Sequence, residues 1–283
     1  MLFVLCFLLI EFIHQNIFLN LGYKILRDKI MKISFVQYNP VWENKEENQK
    51  KLFRILKEQY TDSDLLIFPE MTLTGFSMNS AQLCESNDGE TVSFFKKFAL
   101  IYQTDIVGGF IQEENRKFYN SLVHIDYFGE LVKEYNKIHP FSLAGENKFF
   151  TAGDSPEITK MNDWKIGLSI CYDLRFPELF RMYAKERVHL IINIANWPDT
   201  RIGHWRALLK ARAIENQCYV IGVNRVGSDP KVNYNGYSSL FDPMGEELLA
   251  VENVEGFYSA EIEIDNVEKT RNRFPFLYDI KLI

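Results

Sequence analysis

Several familiar signals are missing from this chain of 283 residues. Its four cysteines, Cys6, Cys84, Cys171 and Cys218, form no C-x-x-C pair and keep no regular spacing. That argues against a disulfide scaffold and for a reducing compartment, the cytoplasm. Five scattered histidines offer no H-E-x-x-H and no close ligand pair, so no metal is expected. Neither G-x-G-x-x-G nor G-x-x-x-x-G-K-[ST] occurs, which removes the usual cradles for dinucleotides and nucleoside triphosphates. Lysine and arginine nowhere cluster and the net charge is -6, so the basic footprint that nucleic acid requires is absent. No Pro/Gly/Ser-rich linker and no low-complexity stretch divides the chain.

Long apolar runs are equally scarce, with one exception. Met1 to Ile10 is almost wholly apolar, and Glu11, His14, Gln15 and Asn16 then interrupt it. A spanning helix needs about 20 apolar residues, so a membrane partner is not expected. A secretory signal wants a basic start and a small-residue cleavage site, and this segment has no Lys or Arg before Lys24 and no A-x-A. Three readings remain: an uncleaved anchor, a poor signal peptide, or translated sequence upstream of the true start. Met31 directly precedes a clean strand, Lys32 to Tyr38, which favours the third. The expected organisation is an apolar extension over residues 1–30 and one domain over residues 31–283.

From residue 31 onward, strands alternate with helices. Ile33 to Gln37 reads as a strand, and Glu46 to Gln59 carries Leu52, Phe53, Ile55 and Leu56 at helical spacing. Leu65 to Phe68 is a short continuous apolar run, the mark of a strand buried on both faces. Thr91 to Tyr102 reads as a helix, followed by strands at Asp105 to Ile111, Phe118 to Tyr127 and Glu130 to Tyr135. The second half repeats the theme with strands at Lys165 to Ile170, His189 to Ile194 and Tyr219 to Asn224. Tyr172 to Tyr183 reads as a helix after the thiol, Glu178 to Lys185 as a helix with Pro177 near its first turn, and His204 to Asn216 as another. A hairpin turns around Pro243-Met244-Gly245, and Phe257 to Ile264 alternates as a last strand. Two similar halves predict an α/β fold in which two sheets pack face to face with helices outside.

Three reactive residues each follow a strand. Cys171 ends the run Lys165 to Ile170 and opens a helix, where a helix dipole lowers a thiol pKa. A lone cysteine is ordinarily an inert buried residue, but its companions point elsewhere. Glu70 follows Leu65 to Phe68 in apolar company, which suits a general base. Lys137 follows Glu130 to Tyr135; alone it would read as a solvated loop lysine, but beside a thiol it favours thiolate and steadies an oxyanion. Glu146, nine residues on, is a candidate partner for Lys137 or a plain loop glutamate. The Tyr172 N–H is placed to bind an oxyanion. Arg175 is placed to fork onto a substrate carboxylate, or else to pair with Glu178 or Asp173. Trp197, His204 and Trp205 are candidate walls of a small polar pocket, or ordinary packing. A thiol, a carboxylate and an ammonium are the parts of an acyl-transfer site.

The ordered set F-P-E (68–70), N-K-I-H-P-F (136–141) and I-C-Y-D-L-R-F-P-E-L (170–179) resembles the carbon–nitrogen hydrolase, or nitrilase, superfamily. That resemblance implies an α-β-β-α four-layer sandwich and a Glu-Lys-Cys triad of Glu70, Lys137 and Cys171, with Glu146 as accessory glutamate. Segments 195–205, 211–227 and 242–246 are similar to the omega-amidase branch. The likeness implies hydrolysis of 2-oxoglutaramate and 2-oxosuccinamate to the oxo acid and ammonia, no metal or organic cofactor, and at least a homodimer. The rival readings are a sister branch, an N-carbamoyl amide hydrolase or a nitrilase, and a non-catalytic binding protein on the same fold.

Overall fold

The computed structural model describes residues 29–282. The apolar run Met1 to Ile10, Cys6 and the rest of the expected extension up to residue 28 lie outside the described residues.

Strands β1 (Ile30–Gln37), β2 (Leu65–Ile67), β3 (Asp105–Glu114), β4 (Lys117–Ile125) and β5 (Leu131–Asn136) belong to one sheet. It is completed by the distant β13 (Gly256–Glu263), in the order β13-β1-β2-β3-β4-β5. β1, β2 and β3 run parallel, and β4, β5 and β13 are antiparallel to their neighbours. The second sheet has the order β10-β11-β9-β8-β7-β6, with β12 beside β11. Its strands are β6 (Ile158–Met161), β7 (Trp164–Ile170), β8 (Leu190–Ile194), β9 (Tyr219–Val223), β10 (Val226–Ser228), β11 (Asn233–Phe241) and β12 (Glu247–Glu252). Here β7, β8 and β9 form the parallel centre.

Side-chain alternation explains the layering, because successive residues of a strand face opposite sides. Leu65 and Ile67 enter a core shared with Leu190, Ile192 and Ile194 of the other sheet. Leu66 and Phe68 face outward, onto helices α1 (Lys45–Gln59) and α3 (Glu90–Tyr102). Ile191 likewise faces outward onto α4 (Pro177–Lys185) and α5 (Ile202–Asn216). The continuous apolar runs are therefore strands buried on both faces. Helix, sheet, sheet and helix make the α-β-β-α sandwich. Two further helices are the single turn α2 (Ser80–Leu83) and the polar α6 (Ile264–Arg273).

Packing between α5 and β9 is tight enough to demand glycine. A Cβ on Gly222 would fall 2.4 Å from Leu209 Cδ1 and 2.5 Å from Trp205 Cζ2. Gly109 plays the same part near the strand end that bears Glu70, where a Cβ would meet the Met71 backbone nitrogen at 2.8 Å.

The expected helix Tyr172 to Tyr183 is broken. Cys171–Arg175 is a 3-10 turn, Phe176 is extended, and α4 starts only at Pro177. Proline disfavours helical backbone in the residue before it, so Phe176 leaves the helical region. No regular α-helix starts at the thiol. Phe53 also departs from its expected place: Leu52, Ile55 and Leu56 of α1 are buried, but Phe53 is exposed.

Gly222→Ala should cost about 1–3 kcal/mol through overpacking and lower the calorimetric unfolding midpoint by several degrees, at roughly 2–4 °C per kcal/mol. An unchanged midpoint would show that α5 yields freely to an added methyl.

Candidate active site

The strand ends of both sheets meet at one place. Glu70 lies just beyond β2 and is 1% exposed, Lys137 follows β5 and is 1% exposed, and Glu146 sits on a 3-10 turn with no exposed surface. Lys137 Nζ donates to Glu70 Oε1 at 2.9 Å and to Glu146 Oε2 and Oε1 at 2.9 and 3.1 Å. Its three donors thus meet three carboxylate contacts. From the other sheet, the Asn196 N–H donates to Glu70 Oε2 at 2.8 Å, and Asn196 Nδ2 donates to the Glu70 carbonyl at 2.8 Å. Asn120 of β4 donates to both carboxylates. The Phe141 N–H donates to Glu146 Oε2.

Cys171 caps this cluster. Its φ of 48° is in the left-handed region, which non-glycine residues rarely adopt. Asp173 holds the turn. Its Oδ2 accepts from the Ile170 N–H at 2.9 Å and from Tyr135 Oη at 2.7 Å, and its Oδ1 accepts from the His139 N–H at 2.9 Å. One carboxylate therefore ties the thiol turn to the segment carrying Lys137.

Charge in the cluster is lopsided, two carboxylates against one ammonium. Burial pulls the Lys137 pKa down, but Glu146 and Glu70 together outweigh it and leave it raised, so Lys137 stays charged. The Cys171 thiol is pushed well above its ordinary value, chiefly by burial and next by Glu70, with Lys137 opposing. This reverses the expectation of a thiol lowered by a helix dipole. The α-helix starts six residues too late to help, and the net negative cluster penalises a second anion.

A cavity of about 400 Å³ opens over Cys171. Tyr172, Arg175, Asn196, Trp197 and Phe141 line it, and Arg201 and Lys231 add positive charge. The two acidic residues on its wall are engaged by their own loops. Glu43 accepts from Ser77 and Asn79, and Asp229 accepts from Tyr234 Oη and from the backbone N–H groups of Lys231 and Val232. Arg175 lies 4.7 Å from the Trp197 ring centroid and 5.9 Å from that of Tyr172, and has no carboxylate partner among the described residues. Neither Glu178 nor Asp173 takes it. His204 is not a wall of the cavity: its Nδ1 sits 3.4 Å from both Arg175 Nη atoms, on the side of that group. Trp205 is also absent from the wall; it is fully buried and donates to the Tyr237 carbonyl.

The sequence reading missed Asn120, Asn196 and Asn224. Asn224 clamps Trp197 by accepting its N–H at 2.7 Å and donating to its carbonyl at 3.0 Å. The signal available was polar amides within or just beyond apolar strands, where burial demands partners.

Known proteins resemble this chain over most of its length. The family model described as Carbon-nitrogen hydrolase matches residues 32–272. A 2-oxoglutaramate amidase of Bacillus subtilis (strain 168) is 33% identical over 251 residues, covering 88% of this chain and 97% of that protein. A protein of Staphylococcus lugdunensis named hydrolase in agr operon is 38% identical over 218 residues, 76% of this chain and 93% of its own length. Among solved structures, XC1258 from Xanthomonas campestris, a CN-hydrolase superfamily protein with an arsenic adduct in its active site, superposes with a TM-score of 0.86 at 31% identity. That match covers 90% of this chain and 98% of that one.

Because the Cys171 pKa is raised, the folded protein carries less thiolate at pH 7 than an ordinary cysteine does. Alkylation of Cys171 by iodoacetamide, followed by peptide mass spectrometry, should be slow at pH 7 and still accelerating past pH 9. A plateau below pH 8 would mean that Lys137 dominates and the thiolate is preformed.

Proposed function

The chain belongs to the carbon–nitrogen hydrolase family, and we propose that its Cys171 carries the acyl group in the hydrolysis of short 2-oxo-acid amides. It is an amidase, acting on the terminal amide of substrates such as 2-oxoglutaramate and 2-oxosuccinamate. The observation that carries the substrate reading is that one cavity holds both the thiol and Arg175, a guanidinium with no carboxylate partner among the described residues. A substrate with an amide at one end and a carboxylate at the other matches that pair of groups.

The residue roles follow from the chemistry. Glu70 takes the thiol proton as Cys171 Sγ attacks the amide carbon, and the carbonyl electron pair moves onto oxygen. The resting thiol is protonated, so its proton has to pass to Glu70 for the attack to occur. The Lys137 charge and backbone N–H groups, that of Tyr172 among them, steady the oxyanion. Lys137 is no proton donor, since its pKa is raised. When the tetrahedral centre collapses, the nitrogen leaves with the proton from Glu70 as ammonia, and a thioester remains. Water then gives a proton to Glu70 and attacks the thioester carbon; the sulfur departs and recovers that proton. Glu146 anchors Lys137. Trp197 and Tyr172 hold the Arg175 guanidinium against their faces, with His204 beside it.

We further infer one hydrolase domain over residues 31–283, working in the cytoplasm as a homodimer or larger homo-oligomer. The free Cys84, Cys171 and Cys218 suit a reducing compartment. Among the described residues, no helix is long and apolar enough to cross a membrane.

Ammonia release from 2-oxoglutaramate, glutamine, an N-carbamoyl amino acid and a simple nitrile tests this reading. Turnover of 2-oxoglutaramate, abolished by Cys171→Ala, is expected. Turnover of only one of the others would move the chain to a sister branch. Arg175→Ala should raise KM for 2-oxoglutaramate about 10–100-fold, the value of a charge-assisted hydrogen bond, with a smaller change in kcat. A short neutral amide should not register the substitution; equal losses on both amides would remove Arg175 from carboxylate binding.

A further inference from the structure

Asn120 has no part in the cycle above, yet it touches every charged member of the cluster. It sits on β4 at 1% exposure. One side-chain nitrogen donates to Glu70 Oε1 at 2.7 Å and to Glu146 Oε1 at 2.8 Å. Its backbone carbonyl accepts the Lys137 N–H at 2.9 Å. The amide orientation is forced. Both Nδ2 hydrogens are used by carboxylates, and Oδ1 finds no partner among the described residues. Turning the group over would point its oxygen at two carboxylate oxygens.

Two carboxylates and one ammonium leave an excess negative charge in a buried space. Asn120 counters this. It gives each carboxylate an N–H that cannot be transferred, because an amide does not titrate in the working range. It also sets the separation of the two groups through a single atom.

We propose that Asn120 is a positioning residue that spans Glu70 and Glu146 and, by donating to both from one nitrogen, holds Glu70 as the acceptor of the thiol proton. The proposal rests on Glu70 acting as the base. Asn120→Asp is nearly isosteric, replaces the shared donor with an acceptor and adds a third carboxylate. Asn120→Ala removes the donor without adding charge.

The test is the pH profile of kcat/KM for 2-oxoglutaramate in wild type and both variants, with Cys171→Ala as the blank and circular dichroism to verify folding. Asn120→Asp should lose about 10²-fold at pH 7, the scale of a misplaced catalytic group. Its acid limb should move up by at least about one pH unit, so that activity partly recovers as pH rises, with KM little changed. Asn120→Ala should move the limb the same way by less. A folded variant with the wild-type limb overturns the proposal, as does a loss equal at all pH values. Unfolding of both variants also overturns it, by showing that Asn120 is kept for stability. A wild type silent on the amide sinks the proposed function together with this inference. An active wild type with an unmoved Asn120→Asp limb sinks the inference alone.

Discussion

Everything in this site depends on one buried ammonium held between two carboxylates. Removing Lys137, Glu70 and Glu146 from water is costly, and their mutual attraction offsets it only if geometry is good and the remaining lone pairs are satisfied. The structure meets both demands. Lys137 spends its three donors on three of the four carboxylate oxygens, Asn196 donates to the fourth, and Asn120 and the Phe141 N–H add a second bond to each of the other three. The cluster also has a topological effect. Its members come from the end of β2, the middle of β4, the end of β5 and a 3-10 turn, and Asn196 adds the end of β8 from the other sheet. Five segments are fixed relative to one another by a few charges, so the inter-sheet core has to keep its register there. Gly109 permits the close approach of the Glu70 backbone to β3 on which that register depends.

The thiol is placed by a second device. Cys171 adopts left-handed backbone, which costs a non-glycine residue of order 1–3 kcal/mol. Asp173 over-determines it by gathering the Ile170 N–H, the Tyr135 hydroxyl and the His139 N–H. The broken helix matters here. Had the helix run unbroken from Tyr172 to Tyr183, Cys171 would sit at its cap, and the helix dipole would favour a resting thiolate. With Phe176 extended, no helix dipole reaches the thiol, and burial first and the negative charge of Glu70 next leave it protonated at rest. A nucleophile of this kind is activated by its base during attack and is protected from adventitious oxidation between turnovers.

Much of this was legible in the sequence. Buried strands announce themselves as short apolar runs, so the two-sheet architecture and the strand ends that carry Glu70, Lys137 and Cys171 followed from pattern alone. The start of α4 was legible, since Pro177 marks the first turn of a helix over Glu178 to Lys185, whereas the helical reading from Tyr172 ran across the break at Phe176. The asparagines were not. Asn120 sits among Phe118, Tyr119, Leu122 and Val123, where local sequence marks only a polar amide in an apolar strand; its partners lie 26 and 50 positions away. His204 was misplaced for a related reason. Helical spacing puts it on the exposed side of α5, and only the fold reveals that this side meets Arg175 rather than the cavity.

The two halves of the site obey opposite rules, and Asp173 joins them. Around Lys137, each charge is dry and fully partnered, which fixes geometry. Around Arg175, the charge is supported by aromatic faces and has no carboxylate partner among the described residues, which preserves its capacity for an incoming anion. The nearest candidates to neutralise Arg175 along the chain are Glu178 and Asp173. Proline at 177 breaks the turn that would bring Glu178 onto the same helical face, and Asp173 is consumed by Tyr135, His139 and the Ile170 N–H. The contacts that hold the nucleophile in its strained turn are therefore the same contacts that leave the guanidinium unpaired. Substituting Asp173 would therefore loosen the turn that places the thiol while leaving Arg175 without a carboxylate; it is the engagement of the Asp173 oxygens that joins thiol placement to an open guanidinium.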